Sequence, residues 1–197
     1  GSTIISNAIG QGEVLTTPIQ LANFTAAIAN RGYFYTPHIV KKIDGEKIYD
    51  SNFTIKKQTT INKEHFTPVI EAMYEVFKTG TGRFNQVKGI EICGKTGTAE
   101  NSIKMVDGLK IQAEDHSILV AFAPKDNPQI ALAVFVENGG YGSIIAAPIT
   151  SLLIEKYING IISKRNKYRE QNMLNKNLQE IYDMQIPKSK EIASRTK

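Results

Sequence analysis

Gly94-Lys95-Thr96-Gly97-Thr98-Ala99-Glu100 places one cation, two hydroxyls and two glycines in a single short segment. Lys95 brings a fixed positive charge, and Thr96 and Thr98 bring hydrogen-bond donors. Gly97 lets a ligand approach where a Cβ would stand in the way. The group suits a carboxylate or an acyl oxyanion.

Two chemistries claim such residues. From Gly89 onward, Gly89-Ile90-Glu91-Ile92-Cys93-Gly94-Lys95-Thr96 fits the nucleotide-phosphate loop pattern G-x-x-x-x-G-K-[ST]. That loop needs an apolar strand before its first glycine and a helix beginning at the Lys-Thr, so that backbone N–H groups face the phosphates. Here Arg83-Phe84-Asn85-Gln86-Val87-Lys88 is mostly polar, Ile90 to Cys93 alternate as a half-buried strand does, and Gly97 falls where the helix would start. No apolar run ends in an Asp to hold magnesium, since Ile118 to Phe122 runs into Ala123-Pro124. The context predicts a strand, and a nucleotide site survives only if a helix starts at Lys95.

Working outward, Thr17-Pro18-Ile19-Gln20 is a capping box with proline at the first helical position, and Leu21, Phe24 and Ile28 follow at helical spacing. A helix is predicted from about Pro18 to Asn30. Asp44-Gly45 between Ile39–Ile43 and Lys47–Tyr49 predicts a tight hairpin. A second helix is predicted from Phe66, Val69, Ile70, Met73 and Phe77, with Pro68 in its first turn and its end near Lys78 and Gly80. His116–Phe122 and Gln129–Val136 are rich in β-branched residues and joined by Pro124-Lys125-Asp126-Asn127-Pro128, which predicts an antiparallel pair. Pro148 to about Ile162 predicts a covering helix through Ile149, Leu152, Leu153, Lys156 and Tyr157. The fold class is therefore α+β: an antiparallel sheet with covering helices.

At 197 residues the chain is one domain, or one large piece of one. No run is long and apolar enough to span a bilayer, no signal peptide is visible, and Gly1-Ser2 reads as a cloning remnant. The net charge of +5 is concentrated at one end: from Ser163 onward nine Lys or Arg face four Asp or Glu, while residues 1–162 balance. That basic tail, 163–197, is expected to be a solvated extension; Leu174, Leu178, Ile181 and Tyr182 at helical spacing allow a short amphipathic helix. Contact with an anionic membrane surface or a partner is the alternative. Lone Cys93 excludes an internal disulfide, and His38, His65 and His116 stand apart without paired Cys or Asp at ligand spacing, so neither a metal nor a cofactor is expected. His116 opens a strand expected beside Lys95 and is read as structural, and Glu13 and Glu137 as turn-stabilising residues. The segment Asn101–Asp115, with Asp107-Gly108 as a turn, is expected to connect two adjacent strands near the cleft.

With the nucleotide reading set aside, Lys95-Thr96-Gly97 matches the third signature of penicillin-binding proteins and serine β-lactamases. Four further segments occur in that family's order: Gly10-Gln11-Gly12-Glu13 followed by Thr17-Pro18-Ile19-Gln20-Leu21-Ala22, then Ala121-Phe122-Ala123-Pro124, Val136-Glu137-Asn138-Gly139-Gly140 and Ala146-Ala147-Pro148-Ile149. Residues 4–162 thus resemble the C-terminal half of a class B penicillin-binding protein transpeptidase domain, most closely the elongation-type members, penicillin-binding protein 2. The resemblance implies residues 3–162 as a partial transpeptidase domain. It also implies a parent enzyme that cross-links peptidoglycan stem peptides through a serine acyl-enzyme and is acylated by β-lactam antibiotics.

By the same resemblance, Lys95 organises the proton network and raises the local potential, and the Thr96 and Thr98 hydroxyls bind the substrate carboxylate. Gly97 permits close approach, and the Thr98 N–H is one oxyanion-hole donor, a kind of group worth about 3 kcal/mol in the transition state. The family also implies an extracytoplasmic, membrane-tethered parent and a membrane glycan polymerase of the SEDS type as partner. The departure from the family is equally plain. No Ser-x-Asn occurs, and the only Ser-x-x-Lys is Ser194-Arg195-Thr196-Lys197, on the wrong side of the third motif. The chain is expected to be inactive by itself, as one wall of an active site. A non-catalytic binding or scaffold module of the same fold is the alternative.

Overall fold

The computed structural model describes residues 2–47, 50–101, 103–106, 109–112 and 114–179, and the side chains of 2, 47, 103–106 and 109–112 are not described. Its centre is a three-stranded antiparallel sheet, β5-β8-β9, formed by Cys93–Ala99, His116–Ala123 and Ile130–Val136. Strand β5 pairs along its whole length with β8, Cys93 opposite Phe122 and Ala99 opposite His116. The hairpin partners β8 and β9 align Ser117 with Val136 and Ala123 with Ile130, as the short Pro-rich connection requires.

Ahead of this sheet come helix α1 (Ser2–Ala8), helix α2 (Pro18–Ala29), strand β1 (Tyr33–Phe34), the hairpin β2–β3 (Lys42–Ile43 and Glu46–Lys47), the single turn α3 (Ser51–Thr54) and strand β4 (Lys57–Gln58), which pairs with β1. Helix α4 (Phe66–Lys78) then leads to β5. The hairpin β6–β7 (Ile103–Val106 and Leu109–Gln112) lies between β5 and β8, and helices α5 (Ala146–Asn159) and α6 (Lys167–Leu174) close the described chain.

Helix ends follow local chemistry. The Thr17 side chain accepts from the Gln20 N–H and the Gln20 side chain returns a 2.8 Å bond to the Thr17 N–H, so the capping box is complete. Gly160 ends α5 in the left-handed conformation at φ 75°. The β2–β3 hairpin turns at Asp44 and Gly45, both at positive φ, but its strands are two residues each, shorter than expected, and Ile48 and Tyr49 lie outside the described residues.

The two sheet faces have separate cores. Phe122 and Cys93 on one face meet Ala29 of α2 and Phe66, Ile70 and Met73 of α4. Leu119, Ala121 and Ala123 on the other meet Ala146, Ala147 and Ile154 of α5, joined by Phe77 from the C-terminal turn of α4.

The face predicted for α4 is the buried one, through Phe66, Ile70, Met73 and Phe77, whereas the buried faces of α2 and α5 differ in part from those predicted. In α2 the sheet receives Thr25 and Ala29, while Phe24 is 61% exposed. In α5 it receives Ala146, Ala147, Thr150, Ser151 and Ile154, while Leu153 and Tyr157 are exposed. Small side chains let each helix lie close on the pleat; of the residues marked by helical periodicity, Ile28 packs against the core, whereas Phe24, Leu153 and Tyr157 are exposed.

The tail also differs. Asn166 is buried and donates to Glu155 at 2.8 Å, and Arg169 Nη2 donates to the Phe84 carbonyl at 2.8 Å, so residues 163–174 pack on the domain as a turn and α6. Leu174, one of the residues whose spacing allowed an amphipathic helix, is 74% exposed at the end of α6; Ile181 and Tyr182 lie outside the described residues.

Glycines separate fold from site. A Cβ on Gly94 would stand 2.8 Å from both Phe77 Cε2 and the Val120 carbonyl, whereas one on Gly97 would meet Ile118 at an ordinary 3.4 Å. Chemical denaturation should therefore show Gly94→Ala losing about 1–3 kcal/mol, and Gly97→Ala changing stability by less than about 1 kcal/mol.

Candidate active site

Strand β5 lies at the edge of its sheet, with β8 on one side only. In an antiparallel strand the N–H and C=O of one residue point the same way, and successive residues alternate. Three side-chain contacts fix which residues face outward. Lys95 Nζ donates to the Thr96 carbonyl at 2.7 Å. Gln11 Nε2 donates to the Thr98 carbonyl at 3.5 Å, and the Glu100 N–H donates to Gln11 Oε1 at 3.1 Å. Thr96, Thr98 and Glu100 thus present backbone groups at the free edge, and the Thr98 N–H points there too.

Side chains alternate across the sheet in the same way. Lys95 and Gly97 share a face with Val120, on the α2–α4 side; Thr96 and Thr98 share the face of Leu119. The strand therefore brings the two hydroxyls together and sets Lys95 on the opposite face, from which its chain curls to the edge at the Thr96 carbonyl. The Thr96 hydroxyl is 2.9 Å from that of Thr81. Beside Lys95, Phe24, Ile28, Val69, Val76 and Val120 line an open apolar groove of about 700 Å³. No helix starts at Lys95; the strand continues to Ala99, which removes the nucleotide-loop reading.

The other sequence signals support this strand. Gly142 lies against the backbone of the Gly97–Ile118 pair, where an added Cβ would be 2.4 Å from the Ile118 carbonyl and 2.6 Å from that of Gly97. Ser117 holds the segment there, donating to the Tyr141 carbonyl and accepting from the Ala146 N–H, both at 3.1 Å. Upstream, Asn138 at φ 53° donates its N–H to His116 Nδ1 at 3.1 Å, and Asn101 bonds the Asn138 side chain, the Glu114 carbonyl and Asp115. His116 is thus a turn partner, its ring tilted against that of Phe135 at 5.3 Å between centroids, as the structural reading expected. Glu13 and Glu137 are exposed.

Sequence reading assigned no role to Gln11, Thr81, Ser117 or Asn101. Gln11 and Thr81 carried a signal, a polar residue between two glycines in Gly10-Gln11-Gly12 and Gly80-Thr81-Gly82. Ser117 and Asn101 carried none.

The family model for the penicillin binding protein transpeptidase domain matches residues 1–155. The chain belongs to the penicillin-binding protein transpeptidase family. It is 34% identical over 176 residues to the peptidoglycan D,D-transpeptidase MrdA of Haemophilus influenzae, covering 83% of this chain and 27% of that protein. Stage V sporulation protein D of Bacillus subtilis is 32% identical over 179 residues, covering 86% and 27%. Among solved structures, penicillin-binding protein 2 of Pseudomonas aeruginosa in complex with WCK 5153 superposes with a TM-score of 0.65 at 33% identity, over 83% of this chain and 34% of that one. The penicillin G acyl-enzyme of penicillin-binding protein A from M. tuberculosis gives 0.60 at 32% identity, over 77% and 34%. The chain spans about a quarter of the length of these curated relatives. No helix among the described residues is long and apolar enough to cross a membrane.

Two outcomes follow from this geometry. Removing the Gln11 amide by Gln11→Ala should speed exchange of the Glu100 amide proton by about ten-fold or more in hydrogen-exchange NMR, with the β8–β9 amides unchanged. Burial pushes the Cys93 thiol up to about 12, above the ordinary 9.0. Because the folded value is raised, the neutral thiol's contribution to stability is complete below pH 9 and declines as pH climbs toward 12. Ellman's reagent at pH 8 should label Cys93 only in denaturant.

Proposed function

We propose that this chain is the C-terminal part of a peptidoglycan D,D-transpeptidase domain, residues 3–162, followed by the basic segment 163–197. The domain cross-links stem peptides through a serine acyl-enzyme and takes β-lactams as substrate mimics. The observation that carries the reading is the free edge of β5, where Thr98 turns its N–H outward while Gln11 occupies the edge groups immediately beyond it.

At that edge the Thr98 N–H serves as an oxyanion donor to the scissile carbonyl, and the Thr96 and Thr98 hydroxyls receive the substrate carboxylate. Lys95 supplies positive potential toward the same anion and organises proton transfer at the nucleophile. Gly97, which its protein neighbours do not require to be glycine, leaves room for the incoming peptide.

The nucleophilic serine and its lysine belong to a segment outside this sequence, which has no upstream Ser-x-x-Lys. That segment seats on the apolar groove beside Lys95. The parent works at the extracytoplasmic face of the cytoplasmic membrane with a SEDS-type glycan polymerase as partner, a part of the reading supported by family membership alone.

The test is covalent labelling by fluorescent penicillin on a denaturing gel. A version extended upstream through the serine should label and this chain should not, and Lys95→Ala in the extended protein should slow labelling on the order of 100-fold. Labelling of neither would favour a non-catalytic module, and labelling of this chain would reveal a nucleophile of its own.

A further inference from the structure

We infer that Thr81 is a positioning residue of the carboxylate site, its hydroxyl donating to Thr96 Oγ1 so that the Thr96 proton is turned toward an anionic ligand. The inference rests on the transpeptidase reading. A threonine hydroxyl has one proton to give and can accept as well. Thr81 Oγ1 and Thr96 Oγ1 are 2.9 Å apart, so one of them donates to the other. A bound carboxylate only accepts. Once it lies on Thr96, Thr96 must donate to it, and only Thr81 is left to donate between the two hydroxyls. The resulting series, Thr81 to Thr96 to carboxylate, is polarised along its length and ends in a charge-assisted bond.

The loop bearing Thr81 is built to hold this position. Gln86 Nε2 caps α4 with bonds to the carbonyls of Phe77 at 2.8 Å and Lys78 at 3.0 Å, and the Gly82 N–H donates to the Val76 carbonyl at 2.8 Å. A Cβ on Gly80 would lie 3.0 Å from Val76 Cα and one on Gly82 would lie 3.2 Å from Phe77, so the turn fits closely on either side of Thr81. From the opposite side, Asn85 Nδ2 donates to the Ser143 carbonyl at 3.3 Å and Arg169 Nη2 to the Phe84 carbonyl at 2.8 Å. Thr81 itself is exposed, so this bonding delivers a hydroxyl to the free edge of β5 instead of filling a core.

The test uses the parent protein carrying this chain and its nucleophile, and compares acylation by penicillin G with acylation by its methyl ester, which lacks the anionic carboxylate. Thr81→Val should slow acylation by the free acid about ten-fold and by the ester less than about two-fold, whereas Thr81→Ser should retain the wild-type preference. Thr81→Val added to Thr96→Val should cause no further loss with the free acid. Equal slowing of acid and ester would mark Thr81 as merely structural, and no slowing of either would remove it from the site; each overturns the inference. Wild-type protein that penicillin does not acylate would instead defeat the transpeptidase reading, and this inference with it.

Discussion

Everything at this site depends on β5 being hydrogen-bonded along one side only. With β8 satisfying one set of backbone groups, the outward set at Thr96 and Thr98 remains at the surface, where an unpaired strand edge readily accepts another chain. The molecule limits that opening at both ends. Near Gly94 the end of α4 wraps round the edge and packs Phe77 against the strand, and past Thr98 the Gln11 amide takes the next carbonyl and N–H. What stays open is about one peptide unit long, flanked by a cation on one face and two hydroxyls on the other. That arrangement suits recognition of a short extended acyl donor bearing a carboxylate, and it suits a phosphate loop poorly because the chain continues as a strand through Lys95 to Ala99 where such a loop needs a helix N-terminus.

A second constraint is the closeness of the layers. Gly142 can lie on the Gly97–Ile118 backbone only because it has no side chain, and α2 and α5 approach the sheet through Thr25, Ala29, Ala146 and Ala147. Bulkier residues are left outside, among them Phe24 of α2 and Val69 of α4 around the groove beside Lys95. An apolar surface of this size beside Lys95 suits coverage by another part of a domain, and the chain spans about a quarter of its relatives' length.

The strand at Lys95, the start of α2 and the antiparallel pair were legible because their signals are local: Gly97 where a helix would start, the Thr17–Gln20 box, and a Pro-rich turn too short for a crossover, whereas α5 stops at Gly160, short of the predicted Ile162. The buried face of α4 was legible too, in Phe66, Ile70, Met73 and Phe77, but those of α2 and α5 were not. Helical periodicity ranks residues by apolarity, whereas contact with a pleated sheet selected small side chains, and the two criteria diverge at Phe24 of α2 and at Leu153 and Tyr157 of α5. The edge clamps were equally hidden, since Gln11 meets Glu100 across 89 residues and Thr81 meets Thr96 across 15. The segregation of Lys95 from Thr96 and Thr98 follows from strand period alone. The packing of residues 163–174 was obscured by their charge, because Asn166 and Arg169 anchor the segment through polar contacts that hydropathy does not register.

The most direct measurement is a crystal structure of the penicilloyl adduct of the parent protein. The account predicts the acyl carbonyl oxygen about 2.7–3.1 Å from the Thr98 nitrogen, with the penicillin carboxylate at the Thr96 and Thr98 hydroxyls. An adduct whose acyl oxygen is held by other groups, leaving the β5 edge empty, would contradict it.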